Sequence, residues 1–187
     1  MKKIVIAAAL GLSTIFAGTA HAAGWVVGPA FKDGWKANFT VAAIGGLLDP
    51  DTEMSDSAAY GGVEVSLDCP WFQPPTGTIR QQFWIGRYED NGVTLTSFEV
   101  NPRYFIDLDG GWSVGFGPGF GYVEAETPYD DSVGMGSLQA GGDLHYRSGA
   151  LFFGVGARYM FTENKNISAN EKGADNWAAV AKVGFNF

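Results

Sequence analysis

Residues 112–122, WSVGFGPGFGY, alternate strictly between two kinds of side chain. The even-numbered positions are Trp, Val, Phe, Pro, Phe and Tyr, and the odd-numbered positions are one serine and four glycines. Because successive side chains of a β-strand point to opposite faces, the stretch predicts a strand with one large apolar face and one nearly bare face. A bare face suits a narrow interior, so the apolar face is predicted to point to lipid, as in a membrane β-barrel. In the alternative, a soluble barrel, the large apolar face would fill the interior.

The same alternation recurs along the chain and predicts eight strands. They cover residues 37–47, 59–67, 79–88, 93–106, 112–122, 138–146, 151–161 and 177–187. Most contain ten or more residues, which matches the ~9–11 residues of a tilted membrane-spanning strand better than the ~5–6 of a typical soluble strand.

Turn signals separate the predicted strands. Tight turns are predicted at 90–92, where Asn-Gly tolerates positive φ, and at 109–111 and 147–149. Longer polar segments at 49–57, 124–134 and 162–176 are predicted to be loops. From the fourth strand onward short and long connections then alternate, as in outer-membrane barrels. The connections at 69–77 and 90–92 fit that alternation less well.

The first 22 residues are predicted to be a secretory signal peptide. Lys2 and Lys3 give a basic start, residues 4–17 are almost wholly apolar, and Ala20-His21-Ala22 fits a small-x-small cleavage site. The alternative is an N-terminal membrane anchor. The barrel domain would then be residues 23–187, in which no apolar stretch approaches the ~20 residues of a membrane helix.

Charge and cysteine content exclude several classes of function. The whole chain has 20 acidic and 12 basic residues, and two of the lysines lie in the predicted signal peptide, so the mature net charge is near −10. Nucleic-acid binding needs a cationic surface, so no nucleic acid is expected as a partner. Cys69 is the only cysteine, which rules out an intramolecular disulfide. With one mature histidine as well, neither a His/Cys metal site nor a cofactor is expected. The acidic stretch 49–56 lacks EF-hand spacing and is predicted to be a solvated loop.

Three features together resemble a known family: the leader MKKIVIAAALGLSTIFAGTAHA, the alternating strands and the terminal VAKVGFNF. They resemble small eight-stranded outer-membrane β-barrel proteins, the group around the OmpA membrane domain and OmpW. The resemblance implies an all-β, eight-stranded antiparallel transmembrane β-barrel in the outer membrane of a Gram-negative bacterium. Both ends of the chain are then expected at the periplasmic side.

The resemblance also implies partners. Val183, Phe185 and Phe187 occupy the positions of the C-terminal signal that the barrel-assembly machinery reads in this group. Periplasmic chaperones and outer-membrane lipids are the other implied partners. We expect the chain to be a monomer.

Ionisable side chains on the bare faces are predicted to line the lumen. They are Glu64, Arg80, Glu99, Arg103, Asp143, His145, Arg158 and Lys182. Isolated charges in a narrow interior are costly, so these residues are expected to form ion pairs. Arg80, Glu99 and Arg103 lie on neighbouring predicted strands and are expected to form one cluster, and Lys182 needs a carboxylate across the lumen. Such a network is either a structural plug or the lining of a narrow ion path.

Two prolines suggest a second hypothesis. If the turn at 109–111 sets Leu108 opposite Trp112, then Pro102 faces Pro118, and neither can donate a ladder hydrogen bond. The glycines of 112–122 would leave free volume behind such a gap. A lateral opening for a lipid-like molecule is therefore an alternative to a local bulge that only sets curvature.

Catalysis is the remaining alternative. His145 and Ser148 invite comparison with outer-membrane lipid A deacylases, which use a His–Ser pair. That family places the serine two residues after the histidine, whereas Ser148 follows by three and lies in a predicted turn at the periplasmic end. The sequence thus predicts a non-enzymatic outer-membrane protein with a structural or surface role and a narrow pore at most. The competing hypothesis is lipid handling, by lateral transport or by modification of lipid A.

Overall fold

The chain folds into a closed barrel of eight antiparallel strands. The computed structural model describes residues 24–128, 130–168 and 171–187. The strands are β1 Thr40–Pro50, β2 Ala58–Asp68, β3 Thr78–Asp90, β4 Val93–Asp107, β5 Trp112–Thr127, β6 Asp130–Ser148, β7 Leu151–Thr162 and β8 Asn176–Asn186. Each strand pairs with the next, and β8 pairs with β1 to close the barrel. The predicted antiparallel eight-stranded barrel is confirmed.

The predicted signal peptide, residues 1–22, lies outside the described residues. Within the described ranges, no helix has the length and apolar character needed to cross a bilayer.

The barrel has two ends, which we name by where the chain enters and leaves it. The proximal end contains residues 24–39, the connections 69–77, 108–111 and 149–150, and Phe187. The distal end contains the connections 51–57, 91–92, 128–129 and 163–175. At the proximal end the short strands Val26–Val27 and Phe72–Gln73 pair with each other and form a small separate sheet.

Large apolar side chains cover the outside of the barrel wall. Phe116, Phe120 and Val183 are 51%, 55% and 54% exposed, and their neighbours of opposite parity point inward. In β8, for example, Lys182 is 3% exposed between the outward Ala181 and Val183. The wall is therefore apolar outside and polar inside, the reverse of a soluble barrel.

This pattern inverts towards the distal end. In β5 the outward row ends with the exposed Tyr122 and continues with Glu124 and Glu126. The inward row, which was serine and glycine, continues with Val123 and Ala125, each 1% exposed. The distal third of the strand is thus polar outside and apolar inside, as in a water-soluble barrel.

The prediction of a loop at 124–134 is therefore wrong. Residues 124–127 belong to β5 and residues 130–134 belong to β6, so only two residues separate these strands. The sequence interpretation ended the strand where its outward face ceased to be apolar. The period of two continues beyond that point with the polarity of the faces exchanged. As a result short and long connections do not alternate after β4, because the β5–β6 connection is short.

An apolar core fills the distal end of the barrel. Its buried residues are Ile44, Leu48, Tyr60, Trp84, Tyr88, Val93, Leu95, Val123, Ala125, Met135, Met160, Ile167, Ala174, Ala178 and Val180. Ile167 and Ala174 lie between β7 and β8 and pack against the strand residues of this core. The Thr127 hydroxyl donates to the Ile167 carbonyl at 3.3 Å and helps to hold this connection in place.

We predict that Ala125→Asp destabilises the barrel by about 3 kcal/mol or more, because it buries a carboxylate in the apolar core. Glu126→Asp places the same side chain on the adjacent outward position and should change stability by less than about 0.5 kcal/mol. Guanidinium unfolding in detergent micelles, followed by tryptophan fluorescence, measures both. Equal, small effects would show that 124–134 behaves as a loop.

Candidate functional site

The middle of the lumen is occupied by charged and polar side chains. All eight ionisable residues singled out in the sequence point inward here, with exposures of 0–6%. They are Glu64, Arg80, Glu99, Arg103, Asp143, His145, Arg158 and Lys182. They form three groups rather than one.

The first group is centred on Lys182, from β8. Its ammonium Nζ donates to Glu64 Oε2 at 2.7 Å and to Asp143 Oδ1 at 2.6 Å. It also lies 4.5 Å from the ring centroid of Trp84. The second oxygen of Asp143 is 3.5 Å from Arg103 Nε. Two cations and two carboxylates therefore balance one another and tie four strands together across the lumen.

The second group is centred on Glu99, from β4. Its Oε1 accepts hydrogen bonds from Arg158 Nη2 at 2.7 Å and from the Ser97 hydroxyl at 2.9 Å. Its Oε2 accepts one from Gln139 Nε2 at 2.7 Å. Arg158 also donates to Asn176 Oδ1 at 2.8 Å. A buried carboxylate with this many donors is held in one position.

Arg80 belongs to a third group, at the proximal end. Its Nη1 pairs with Asp68 Oδ1 at 2.5 Å, and its Nη2 donates to the Asn38 carbonyl at 2.8 Å. The predicted cluster of Arg80, Glu99 and Arg103 is therefore wrong. Arg80 lies directly opposite Arg103 in the β3–β4 register and opposite Asp68 in the β2–β3 register. Like charges repel, so the two arginines turn to different carboxylates.

Glycines on the bare faces make room for these large side chains. A Cβ on Gly115 would collide with the Phe105 ring, and one on Gly119 would collide with the Asn101 amide. A Cβ on Gly154 would lie 2.9 Å from the His145 ring, and one on Gly156 would press on Asp143. The expectation that glycines of β5 leave free volume is therefore wrong, because neighbouring strands fill that volume.

Pro102 and Pro118 lie at an interruption between β4 and β5. Ladder pairing stops after Tyr104↔Phe116 and resumes at Val100↔Phe120. Arg103 bridges the interruption, since its Nη1 donates to the carbonyl oxygens of Gly117 and Pro118. The two backbones stay in contact, because a Cβ on Gly117 would collide with the Pro102 carbonyl oxygen. A guanidinium thus replaces the ladder hydrogen bonds that prolines cannot make.

His145 is packed between aromatic rings. Its ring stacks on Phe105 at 4.6 Å and meets the edge of Phe152 at 4.8 Å, and its Nε2 lies 3.8 Å from Asp143 Oδ1. Ser148 is exposed where β6 ends, whereas His145 is fully buried. The structure does not bring the two residues together into a nucleophile and base.

Several members of these groups were not singled out from the sequence. They are Tyr60, Asp68, Gln82, Ser97, Asn101, Gln139, Asn176 and Arg147. Each lies on an inward-facing strand position, so parity alone could have identified it. Arg147 lines a cavity of about 310 Å³ at the proximal end, together with Arg80, Asp107 and Phe187.

Metal binding finds no support in the described ranges 24–128, 130–168 and 171–187, where no group of three or more His, Cys, Asp or Glu residues could hold an ion. In the acidic stretch 49–56, Asp49 Oδ2 accepts the Trp177 indole N–H at 2.7 Å. The backbone N–H of Glu53 donates to Glu171 Oε1 at 2.6 Å. The first contact lies between the neighbouring strands β1 and β8, and the second links the connection 51–57 to the connection between β7 and β8.

The distal end carries the net charge of the chain. Segments 49–57, 87–96, 123–136 and 163–176 contain 13 acidic and 3 basic residues. Outside the predicted signal peptide, the rest of the chain has acids and bases in equal number. Glu163 shows how the distal contacts respond to acid. Its carboxylate accepts the Gly136 amide at 3.1 Å and pairs with Lys165, and both contacts lower its pKa. They persist at neutral pH and weaken as the pH falls through that lowered pKa.

The architecture is a closed eight-stranded antiparallel β-barrel, and solved structures of small outer-membrane β-barrels share this fold. Neisserial surface protein A, NspA, superposes with a TM-score of 0.61 at 16% identity, over 80% of this chain and 97% of that one. The N-terminal β-barrel domain of Pseudomonas aeruginosa OprF gives 0.51 at 17% identity, over 81% and 100%. Ail, the attachment invasion locus protein of Yersinia pestis, gives 0.50 at 12% identity, over 82% and 100%. At these identities the likeness shows the fold.

Sequence comparisons add no narrower assignment. A scan against protein-family models found no match, and a search of curated proteins found no significant relative. Membership of the group around the OmpA membrane domain and OmpW stays a prediction.

We predict that Lys182→Met destabilises the barrel by about 3–5 kcal/mol, because Glu64 and Asp143 are then left buried without their shared cation. Arg87→Met is the matched control. Arg87 pairs with Glu89 at 3.5 Å on the exposed distal surface, and its loss should cost less than about 1 kcal/mol. Chemical unfolding in micelles measures both, and adding Glu64→Gln to Lys182→Met should recover part of the loss. A loss at Lys182 no larger than that at Arg87 would contradict the network.

Proposed function

We propose that the chain is an integral outer-membrane protein that spans the bilayer with its barrel wall. The observation that carries this proposal is the belt of large apolar side chains on the outside of a barrel whose inside is charged. A soluble protein would not expose Leu138 at 67%, Phe120 at 55% and Phe185 at 57% on a continuous wall. Strands of 11–19 residues are long enough to span a bilayer and project beyond it.

We propose that the lumen is closed and that the role of the protein is structural or at the cell surface, not enzymatic. Two layers support closure. The charged groups fill the middle of the lumen, and the apolar core fills its distal end. A narrow ion path would have to pass both layers. The contacts at Pro102 and Pro118 likewise do not favour a lateral route for lipids.

The distal end is the surface proposed to face the outside of the cell. The outward positions of β3 and β5 are polar there, and the distal segments carry the excess of acidic residues described above. Two of the similar structures are a surface protein and an attachment invasion locus protein, and their names agree with a surface role. An acidic face of this kind attracts cationic partners and repels anionic polymers.

Folding in the cell is proposed to use the C-terminal strand as a recognition signal. Val183 and Phe185 are 54% and 57% exposed on the outward face of β8, and Phe187, directly after that strand, is 80% exposed. Because these side chains are exposed, the barrel-assembly machinery could bind them before the barrel enters the membrane. Periplasmic chaperones would carry the chain to that point, and the folded protein is proposed to be a monomer.

We predict that purified protein in planar bilayers gives no discrete conductance steps. The double variant Arg158→Ala/Gln139→Ala should also give no steps, because it opens only the charged layer around Glu99 and leaves the apolar core in place at the distal end. Arg87→Ala, on the outer surface, is the control and should stay silent. Steps in the wild type that vanish in Glu99→Gln would instead establish an ion path.

We predict that Phe187→Ala lowers the amount of folded barrel in the outer membrane several-fold while leaving refolding into detergent micelles unchanged. Phe39→Ala is the matched control, since the Phe39 carbonyl accepts the Phe187 amide at 2.8 Å and both aromatics lie at the proximal end. Membrane fractionation with heat-dependent mobility on gels measures the folded fraction. Equal losses for both variants would indicate a general anchoring role instead of a signal.

A further inference from the structure

Four apolar side chains at the proximal end lie outside the barrel wall and are uncovered. They are Val27, Phe31, Trp71 and Phe72, with exposures of 67%, 89%, 60% and 52%. We call them the proximal patch. They do not belong to any of the eight strands, so spanning the membrane does not by itself account for their exposure.

The backbone beneath the patch is fixed. Val27 lies directly opposite Phe72 in the small sheet, so these two side chains share one face. The Gly28 amide donates to the Trp71 carbonyl at 2.7 Å, and the Ala30 amide donates to the Pro70 carbonyl at 3.3 Å. These hydrogen bonds hold the backbone of the proximal patch in a defined conformation.

The opposite face of the small sheet is attached to the barrel. The Gln73 amide Nε2 donates to the Ile79 carbonyl at 2.9 Å and to the Cys69 carbonyl at 3.2 Å, and its Oε1 accepts the Ile79 amide at 2.9 Å. Gln73 thus continues the β2–β3 ladder with its side chain. Because Gln73 and Phe72 point to opposite faces, Phe72 points away from these contacts.

The connection 69–77, which carries Trp71 and Phe72, also contacts the aromatic side chains of the wall. Tyr104, on the outward face of β4, donates its hydroxyl to the Thr76 carbonyl at 3.1 Å. Its ring packs edge-on against the outward Phe116, with the centroids 5.8 Å apart. At the same end, Trp112 and Tyr146 form another outward ring pair at 4.9 Å. The connection 69–77 therefore rests on the belt where aromatic side chains meet lipid headgroups.

Charge at the patch differs from charge at the distal end. Residues 24–36 contain two lysines, Lys32 and Lys36, against one acid, Asp33. Both lysines are exposed. A local excess of ammonium groups beside exposed aromatics fits a surface of phosphate headgroups over acyl chains.

We propose that the proximal patch inserts into the headgroup region of the membrane leaflet at the proximal end, with phospholipid as its occupant. The inference rests on the proposed membrane-spanning function and adds a contact that the strands do not supply. Phe31, Trp71 and Phe72 enter the boundary between headgroups and acyl chains, while Lys32 and Lys36 meet lipid phosphates. The contact fixes the height of the barrel in the bilayer.

The test uses an environment-sensitive fluorophore on single cysteines in liposomes. Cys69 is first changed to serine, and the patch is probed with Phe31→Cys and Phe72→Cys. Phe116→Cys reports on the wall and Glu126→Cys on the distal surface. Lipids brominated near the headgroup should quench the patch labels most, and lipids brominated deep in the acyl chain should quench the wall label. Aqueous iodide should quench the distal label alone.

The outcomes separate the inference from the function on which it rests. Patch labels quenched by iodide and not by brominated lipid, with a quenched wall label, would place the patch in water and overturn the inference alone. Patch labels reached by neither quencher would mean that a second copy or another protein covers them, which also overturns it. An unquenched wall label would overturn the membrane-spanning function itself. In support, Lys32→Glu/Lys36→Glu should reduce quenching of the Phe31 label in anionic liposomes and leave the wall label unchanged.

Discussion

The ammonium group of Lys182, held between Glu64 and Asp143, is the interaction on which the interior of the barrel depends. An ionised side chain in a narrow lumen is stable only when counter-charges and hydrogen bonds replace its water. The two carboxylates lie on β2 and β6, and Arg103 on β4 completes the balance. This arrangement explains why the inward faces of the strands contain glycines. Side chains as long as arginine fit inside the lumen only where facing positions lack a Cβ.

Arg103 connects this network of charges in the lumen to the backbone of the barrel wall. It reaches Asp143 with one nitrogen and the carbonyls of Gly117 and Pro118 with another, so a single guanidinium serves both the lumen and the gap in the ladder. A backbone carbonyl facing lipid without a donor would cost several kcal/mol. Proline at 102 and 118 is therefore tolerated in a closed barrel because an inward cation supplies the missing donors.

The proximal and distal parts of the barrel differ in polarity and in what fills them. In β5 the proximal part has the polarity that lipid requires and the distal part has the polarity that water requires, and the exchange occurs between Tyr122 and Val123. Both parts are filled, one by ion pairs and the other by an apolar core. The proposed closed lumen rests on this filling. The two ends differ in character, since one is rich in acidic residues and the other exposes aromatic side chains.

Alternation alone determined the number of strands, which face of each strand points inward, and therefore that Lys182 and its seven ionisable companions line the interior. These properties are local, since the pleat repeats every two residues whatever surrounds it. Only the tertiary structure decided which charges pair, because pairing depends on register between strands: Arg80 lies opposite both Arg103 and Asp68 and takes the carboxylate. Only the tertiary structure showed that residues 124–127 and 130–134 belong to strands. The polar residues Glu124 and Glu126 are compatible both with a loop and with a strand whose outer face contacts water.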